Sequence, residues 1–217
     1  MLKAILFDLD GTIADTNTLI FESFRHTFLA HDIHRVTDEE IYSFFGEPLL
    51  TSMRRYAPDQ AEELVETYRT YNAGIHDEMI RHFPGVRETL ETLSVMGLEL
   101  GIVTSKKGDV ARRSLKALNL TDFFKVIVTP ESTVQHKPDP APVLFAMDTL
   151  GCRPDECMMV GDSPYDLLSG KRAGALTCGV EYTKLDINVL KATDPDYMIA
   201  EVGQLIGIIR QLNGEAK

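Results

Sequence analysis

Short, almost uninterrupted apolar runs recur along this chain at Leu2 to Leu9, Leu98 to Val103, Lys125 to Val128, Met158 to Val160 and Ala175 to Val180. Helical spacing fills the intervals between them, as in Val86, Leu90 and Leu93, or Leu205, Ile208, Ile209 and Leu212. Strands that are apolar at nearly every position are covered on both faces, and covered strands joined by helices form a parallel sheet. The expected fold class is therefore α/β, a doubly wound, Rossmann-like parallel sheet.

The alternation breaks once. From about Asn17 to Arg81 one helical pattern follows another with no strand between, which predicts an inserted all-helical unit. The expected organisation is a core built from 1–16 and 82–217 with the insert at 17–81. Within the insert, Thr37 and Glu40 have capping-box spacing and mark a helix start. Asp59 to Tyr71 sets acids against Leu64, Val65 and Tyr68, the pattern of an amphipathic helix with a solvated acidic face. The His82-Phe83-Pro84-Gly85 stretch then punctuates the return to the alternating pattern.

Charge narrows the partners. The 217 residues carry 22 Lys and Arg against 33 Asp and Glu, a formal net charge of −11, so phosphate backbones are repelled and nucleic acid is not an expected partner. An anionic substrate would need positive charge supplied locally by a metal ion, a lysine or a helix N-terminus. Cys152, Cys157 and Cys178 show no zinc-ligand spacing and read as reduced thiols. No apolar run approaches the ~18 residues a membrane span needs, and the amino terminus is broken by Asp8 and Asp10, so a soluble cytoplasmic protein is expected, as monomer or homodimer.

In a doubly wound sheet, ligands gather beyond the carboxyl ends of the strands. Those ends carry Asp8 and Asp10, then Thr104, Ser105 and Lys106, then Lys137 on the segment after the third run, then Asp162. Asp8 and Asp10, two apart on an extended segment, emerge on one side. Their repulsion invites a hard divalent cation, and with Asp162 they form an oxygen-rich set suited to magnesium. Taken singly, each aspartate could instead cap the following helix. Thr104 or Ser105 could likewise be only an N-cap, yet both lie where a helix N-terminus would cradle phosphate. Lys137, stiffened by Pro138, Pro140 and Pro142, reads as the only fixed cation facing these carboxylates.

The segments Asp8-Leu9-Asp10-Gly11-Thr12, Val103-Thr104-Ser105, Lys137-Pro138 and Gly161-Asp162-Ser163-Pro164-Tyr165-Asp166 together resemble the four ordered motifs of the haloacid dehalogenase superfamily. The insert lies where that family carries its C1 helical cap. The resemblance implies a magnesium-dependent phosphohydrolase in which Asp8 is the nucleophile that becomes an aspartyl phosphate and Asp10 is the general acid and base. It makes Thr104, Ser105 and Lys137 phosphate-binding and places Mg2+ on Asp8, the Asp10 carbonyl and Asp162. Asp166 becomes either an outer-sphere ligand or a partner of Lys137.

Asp10 speaks against the dehalogenase subgroup, which lacks this second acid, and the absence of lysine from 17–81 excludes the phosphonate-cleaving branch for this cap. Thr16-Asn17, Phe45 to Leu49, Tyr68 to Asn72 and His76 to Glu78 resemble the pyrophosphatases of the superfamily, so inorganic pyrophosphate is the expected substrate. Arg54, Arg55 and Arg69 are the insert's candidate cations for a second anionic group. Phosphoglycolate phosphatase and a phosphomutase of the β-phosphoglucomutase type are the alternatives. A receiver-like binding module also combines aspartates, a hydroxyl and a lysine, but its length and the insert after the first strand disfavour it.

Overall fold

A computed structural model of the chain describes residues 1–45 and 47–214. In chain order, β1 (Ala4–Phe7) is followed by β2 (Ala14–Asp15) and then by four helices: α1 (Asn17–Ala30), α2 (Asp38–Ser43), α3 (Leu49–Tyr56) and α4 (Ala61–Met79). The chain continues through β3 (Arg81–His82), α5 (Val86–Val95), β4 (Glu99–Val103), α6 (Gly108–Ala117), β5 (Val126–Val128) and α7 (Ala141–Leu150). It ends with β6 (Cys157–Gly161), α8 (Pro164–Arg172), β7 (Leu176–Val180), α9 (Ile187–Lys191), β8 (Tyr197–Ile199) and α10 (Gln204–Asn213). Backbone packing divides it into two compact units, Thr16–Ile80 and the remainder.

The larger unit holds a six-stranded sheet in the order β5-β4-β1-β6-β7-β8, with every neighbouring pair parallel. This is the α/β architecture the apolar runs imply. The first strand in sequence lies inside the sheet, where Ala4 to Phe7 pair with Glu99 to Ile102 on one side and Cys157 to Val160 on the other. All four of its residues are buried, which explains why the run reads apolar throughout instead of alternating. Burying a side chain such as Ile5, Leu6 or Phe7 contributes roughly 1.5–3 kcal/mol. Close strand packing also sets Gly101, where a Cβ would stand 2.8 Å from Leu6 Cδ2 and 2.7 Å from Val126 Cγ1. From β1 the chain adds β4 and β5 outward on one side, then returns to add β6, β7 and β8 on the other. The reversal opens a crevice at the carboxyl end of β1. Two further elements, the edge strand β8 and the two-residue antiparallel pair β2–β3, are too short to leave a periodic signature in the sequence.

The smaller unit is all-helical. Its core is an aromatic cluster in which the Phe24 ring lies 4.9 Å from Tyr68 and 5.3 Å from Phe44, with Phe28 against Tyr56 at 5.5 Å. Edge and tilted contacts of this kind add to plain area burial. The capping box forms as the spacing requires: Thr37 N–H donates to Glu40 Oε2 at 2.7 Å and Glu40 N–H donates to Thr37 Oγ1 at 3.2 Å. Among the described residues no helix is long and apolar enough to cross a membrane.

Candidate active site at the carboxyl edge of the sheet

Asp8 follows the last residue of β1 directly, so the rigid sheet fixes its position: its N–H donates to Val160 O at 2.9 Å. A tight turn then reverses the chain, with Ile13 and Ala14 N–H both donating to Leu9 O. Gly11 makes the turn possible. Its φ of +84° is left-handed, and a Cβ there would stand 2.2 Å from Asp162 Oδ2. Gly11→Ala is therefore expected to displace the Asp162 carboxylate and lower kcat/KM by about tenfold or more, since small misplacements at a reacting centre are costly. Steady-state kinetics beside a circular dichroism spectrum checks this, and an alanine variant at wild-type rate would show that Asp162 does not need its present position.

Three buried carboxylates meet at this edge: oxygens of Asp8, Asp162 and Asp166 lie within 4.8 Å of one another. Lys137 reaches into the group from the segment after β5. Its Nζ donates to Asp8 Oδ1 at 2.6 Å, Asp166 Oδ1 at 2.5 Å and Val103 O at 2.9 Å, so all three ammonium hydrogens are engaged. The Lys137 side chain is only 4% exposed. Burial works against its charge, but Asp166 and Asp8 hold its pKa above the usual lysine range.

One buried cation does not balance three carboxylates. Burial, reinforced by Asp166, pushes Asp8 up to about 7 even though Lys137 pulls the other way. Burial, then Asp166 and Asp8, likewise raise Asp162 well above the ordinary carboxylate range. A hard divalent cation with oxygen ligands answers this excess of negative charge, and the donor set fits magnesium chemistry.

The structure separates roles the sequence left open. Asp166 lies on the first turn of α8, where its Oδ2 accepts from Ser163 N–H at 3.0 Å and Ser163 Oγ at 2.6 Å while Oδ1 takes Lys137. It is thus both a partner of Lys137 and a member of the carboxylate cluster. Thr104 is buried, and its Oγ1 accepts from Lys106 N–H at 3.1 Å, whereas Ser105 is exposed. Neither hydroxyl caps α6. The Gly108 N–H at the start of that helix donates to Glu131 Oε2 at 3.2 Å, so part of the expected phosphate cradle already holds a carboxylate.

Lys137 is not the only cation at this edge. Lys106 Nζ donates to Asp10 Oδ1 at 2.7 Å, so the Asp10 side chain faces a lysine of its own. This pairing was not legible because it joins residues 96 apart through the reach of a flexible side chain. Thr183 is a further member of this edge. Its Oγ1 donates to Asp162 Oδ2 at 3.3 Å, and the neighbouring Tyr182 hydroxyl donates to Thr12 O at 3.0 Å. Both follow the carboxyl end of β7, so the strand-end rule that found the aspartates also covers them.

In the helical unit two of the candidate arginines are already matched. Arg54 Nη2 lies 3.0 Å from Glu62 Oε1, and Arg55 Nη2 lies 2.8 Å from Glu47 Oε1 with its guanidinium over the Phe44 ring. Both therefore serve pairs within that unit. Arg69 is exposed on α4. Gly46, in the stretch from Phe45 to Leu49, lies outside the described residues.

Comparison with known proteins places the chain among hydrolases. A family model described as haloacid dehalogenase-like hydrolase matches residues 5–180. A Clostridium perfringens (strain 13 / Type A) protein, provisionally named pyrophosphatase PpaX, is 43% identical over 213 residues, covering 98% of this chain and 100% of that one. Pyrophosphatase PpaX of Oceanobacillus iheyensis is 38% identical over 208 residues, with 96% and 97% covered. Among solved structures, a haloacid dehalogenase-like family hydrolase from Streptococcus pneumoniae superposes with a TM-score of 0.88 at 27% identity, covering 96% of this chain and 98% of that one.

Proposed function

The chain belongs to the haloacid dehalogenase-like hydrolase family, and on that premise we propose that it hydrolyses inorganic pyrophosphate through an aspartyl-phosphate intermediate on Asp8. It is an enzyme of the phosphatase class acting on a small phosphate compound. The observation that carries the finer reading is the position of Asp8. It sits at the end of an interior strand, 2.6 Å from a buried lysine and two residues from a second carboxylate paired elsewhere.

Asp8 Oδ attacks one phosphorus, and the bond from that phosphorus to the bridging oxygen breaks with its electron pair passing to the oxygen. Asp10 gives that oxygen its proton, so one phosphate leaves and the other remains on Asp8. Asp10, now a carboxylate, then takes a proton from water as the water oxygen bonds phosphorus and the bond to Asp8 breaks. Lys137 offsets charge on Asp8 and on the phosphoryl oxygens, with Thr104 and Ser105 supplying hydrogen bonds. Asp8, the Asp10 carbonyl and Asp162 would hold magnesium, which supplies positive charge to the phosphoryl oxygens. Asp166 keeps Lys137 and Ser163 in place.

The substrate assignment draws on the names of the relatives and on leaving-group chemistry: a departing phosphate is a weaker base than a departing alkoxide and demands less of Asp10. Side-by-side kinetics at fixed magnesium test it. Pyrophosphate is expected to give a higher kcat/KM than phosphoglycolate, sugar phosphates or nucleotides. A tenfold preference for phosphoglycolate or a sugar phosphate, about 1.4 kcal/mol of transition-state binding, would overturn the pyrophosphatase reading and leave the phosphatase class intact.

A further inference from the structure

We propose that Lys106 recognises the departing phosphate and so determines preference for a phosphoanhydride over phosphate esters, an inference that rests on the pyrophosphatase reading above. Two cations at the carboxyl edge of the sheet have different surroundings. Lys137 is buried and fully engaged by Asp8, Asp166 and Val103 O on the side of the nucleophile. Lys106 is on the loop leaving β4, with its backbone held by the Thr104 hydroxyl and its Nζ on Asp10 Oδ1. The Lys106 and Asp10 side chains are 12% and 23% exposed, more than those of the Lys137 cluster. Among the described residues Lys106 Nζ donates to Asp10 alone, which leaves ammonium hydrogens for a ligand.

In the proposed mechanism Asp10 acts on the bridging oxygen, which brings a cation 2.7 Å from the Asp10 carboxylate within reach of the departing group. When the bridging bond breaks and Asp10 yields its proton, pyrophosphate leaves two negatively charged groups there, the Asp10 carboxylate and the released phosphate. A monoester leaves one, because its alcohol departs neutral. A fixed ammonium at this point therefore stabilises the transition state for pyrophosphate more than that for an ester. If Lys106 only positioned Asp10, both substrates would depend on it equally.

Lys106→Gln and Lys106→Arg, each checked for native circular dichroism, separate these cases. With Lys106→Gln, kcat/KM is expected to fall at least tenfold further for pyrophosphate than for glycerol 2-phosphate, whose leaving group is uncharged, and Lys106→Arg is expected to restore part of the difference. Binding of methylenediphosphonate, a non-hydrolysable mimic, should weaken about tenfold in Lys106→Gln while binding of methylphosphonate stays within about twofold. Equal losses on both substrates, or an unchanged affinity for methylenediphosphonate, would overturn the proposal. The wild-type comparison of pyrophosphate with phosphate esters tests the underlying reading separately. If pyrophosphate is not preferred there, that reading fails and the specificity role fails with it.

Discussion

Asp8→Asn is expected to lower turnover by about four orders of magnitude or more while the protein stays folded. The size follows from losing a nucleophile, the kind of deletion that removes nearly all chemistry beyond binding and electrostatic stabilisation. An amide has the shape of the carboxylate but no charged oxygen to attack phosphorus. The fold should tolerate the change because Asp8 is one of three acids crowded about Lys137, which keeps Asp166 and Val103 O as partners. Removing a buried charge whose pKa is already pushed up to about 7, chiefly by burial, also relieves repulsion with Asp166. Phosphate release under single-turnover conditions, beside a thermal unfolding curve, reads both halves of this expectation. A native-like variant that retains more than a few per cent of wild-type turnover would remove Asp8 from the role of nucleophile.

The strand ends were legible because two strong constraints coincide there. A strand covered on both faces must be apolar along its length, as Ala4 to Phe7 is, so a charged residue at its end marks where the sheet meets solvent. Ligand groups concentrate at the carboxyl end for reasons of connectivity, which is why Asp8, Thr104 and Asp162 could be picked out together. Ser163 and Asp166 form a capping box at the start of α8, yet the second oxygen of Asp166 reaches Lys137, 29 residues away. Sequence spacing describes neighbours within an element and says little about where a long side chain ends. Lys106 meets Asp10 across two loops, and Arg54 and Arg55 meet Glu62 and Glu47 instead of offering free charge. Strand length limits the rest: three residues of β8 and two each of β2 and β3 are fixed by pairing partners, with too few positions to display a period.

Chelation of divalent cations is expected to abolish turnover, and magnesium is expected to restore it. Asp8, Asp162 and Asp166 share a buried site with one engaged ammonium, and burial with mutual repulsion raises both Asp8 and Asp162. Such a site is costly to keep ionised without further positive charge. Magnesium should therefore stabilise the folded state as well as support catalysis, because unfolding disperses the carboxylates. At a free concentration a hundred times its dissociation constant, a ligand that binds only the folded form adds about 2.7 kcal/mol. Raising magnesium should accordingly raise the thermal midpoint in the absence of any substrate. Asp162→Asn should shrink that rise by removing one charged oxygen pair while leaving the Lys137 contacts with Asp8 and Asp166 intact. Calcium, which tolerates longer and less regular coordination, should reproduce more of the thermal shift than of the turnover. Full activity in excess chelator, with a thermal midpoint indifferent to magnesium, would mean that the cluster is neutralised by protons and that the phosphoryl charge is met by Lys137 and Lys106 alone.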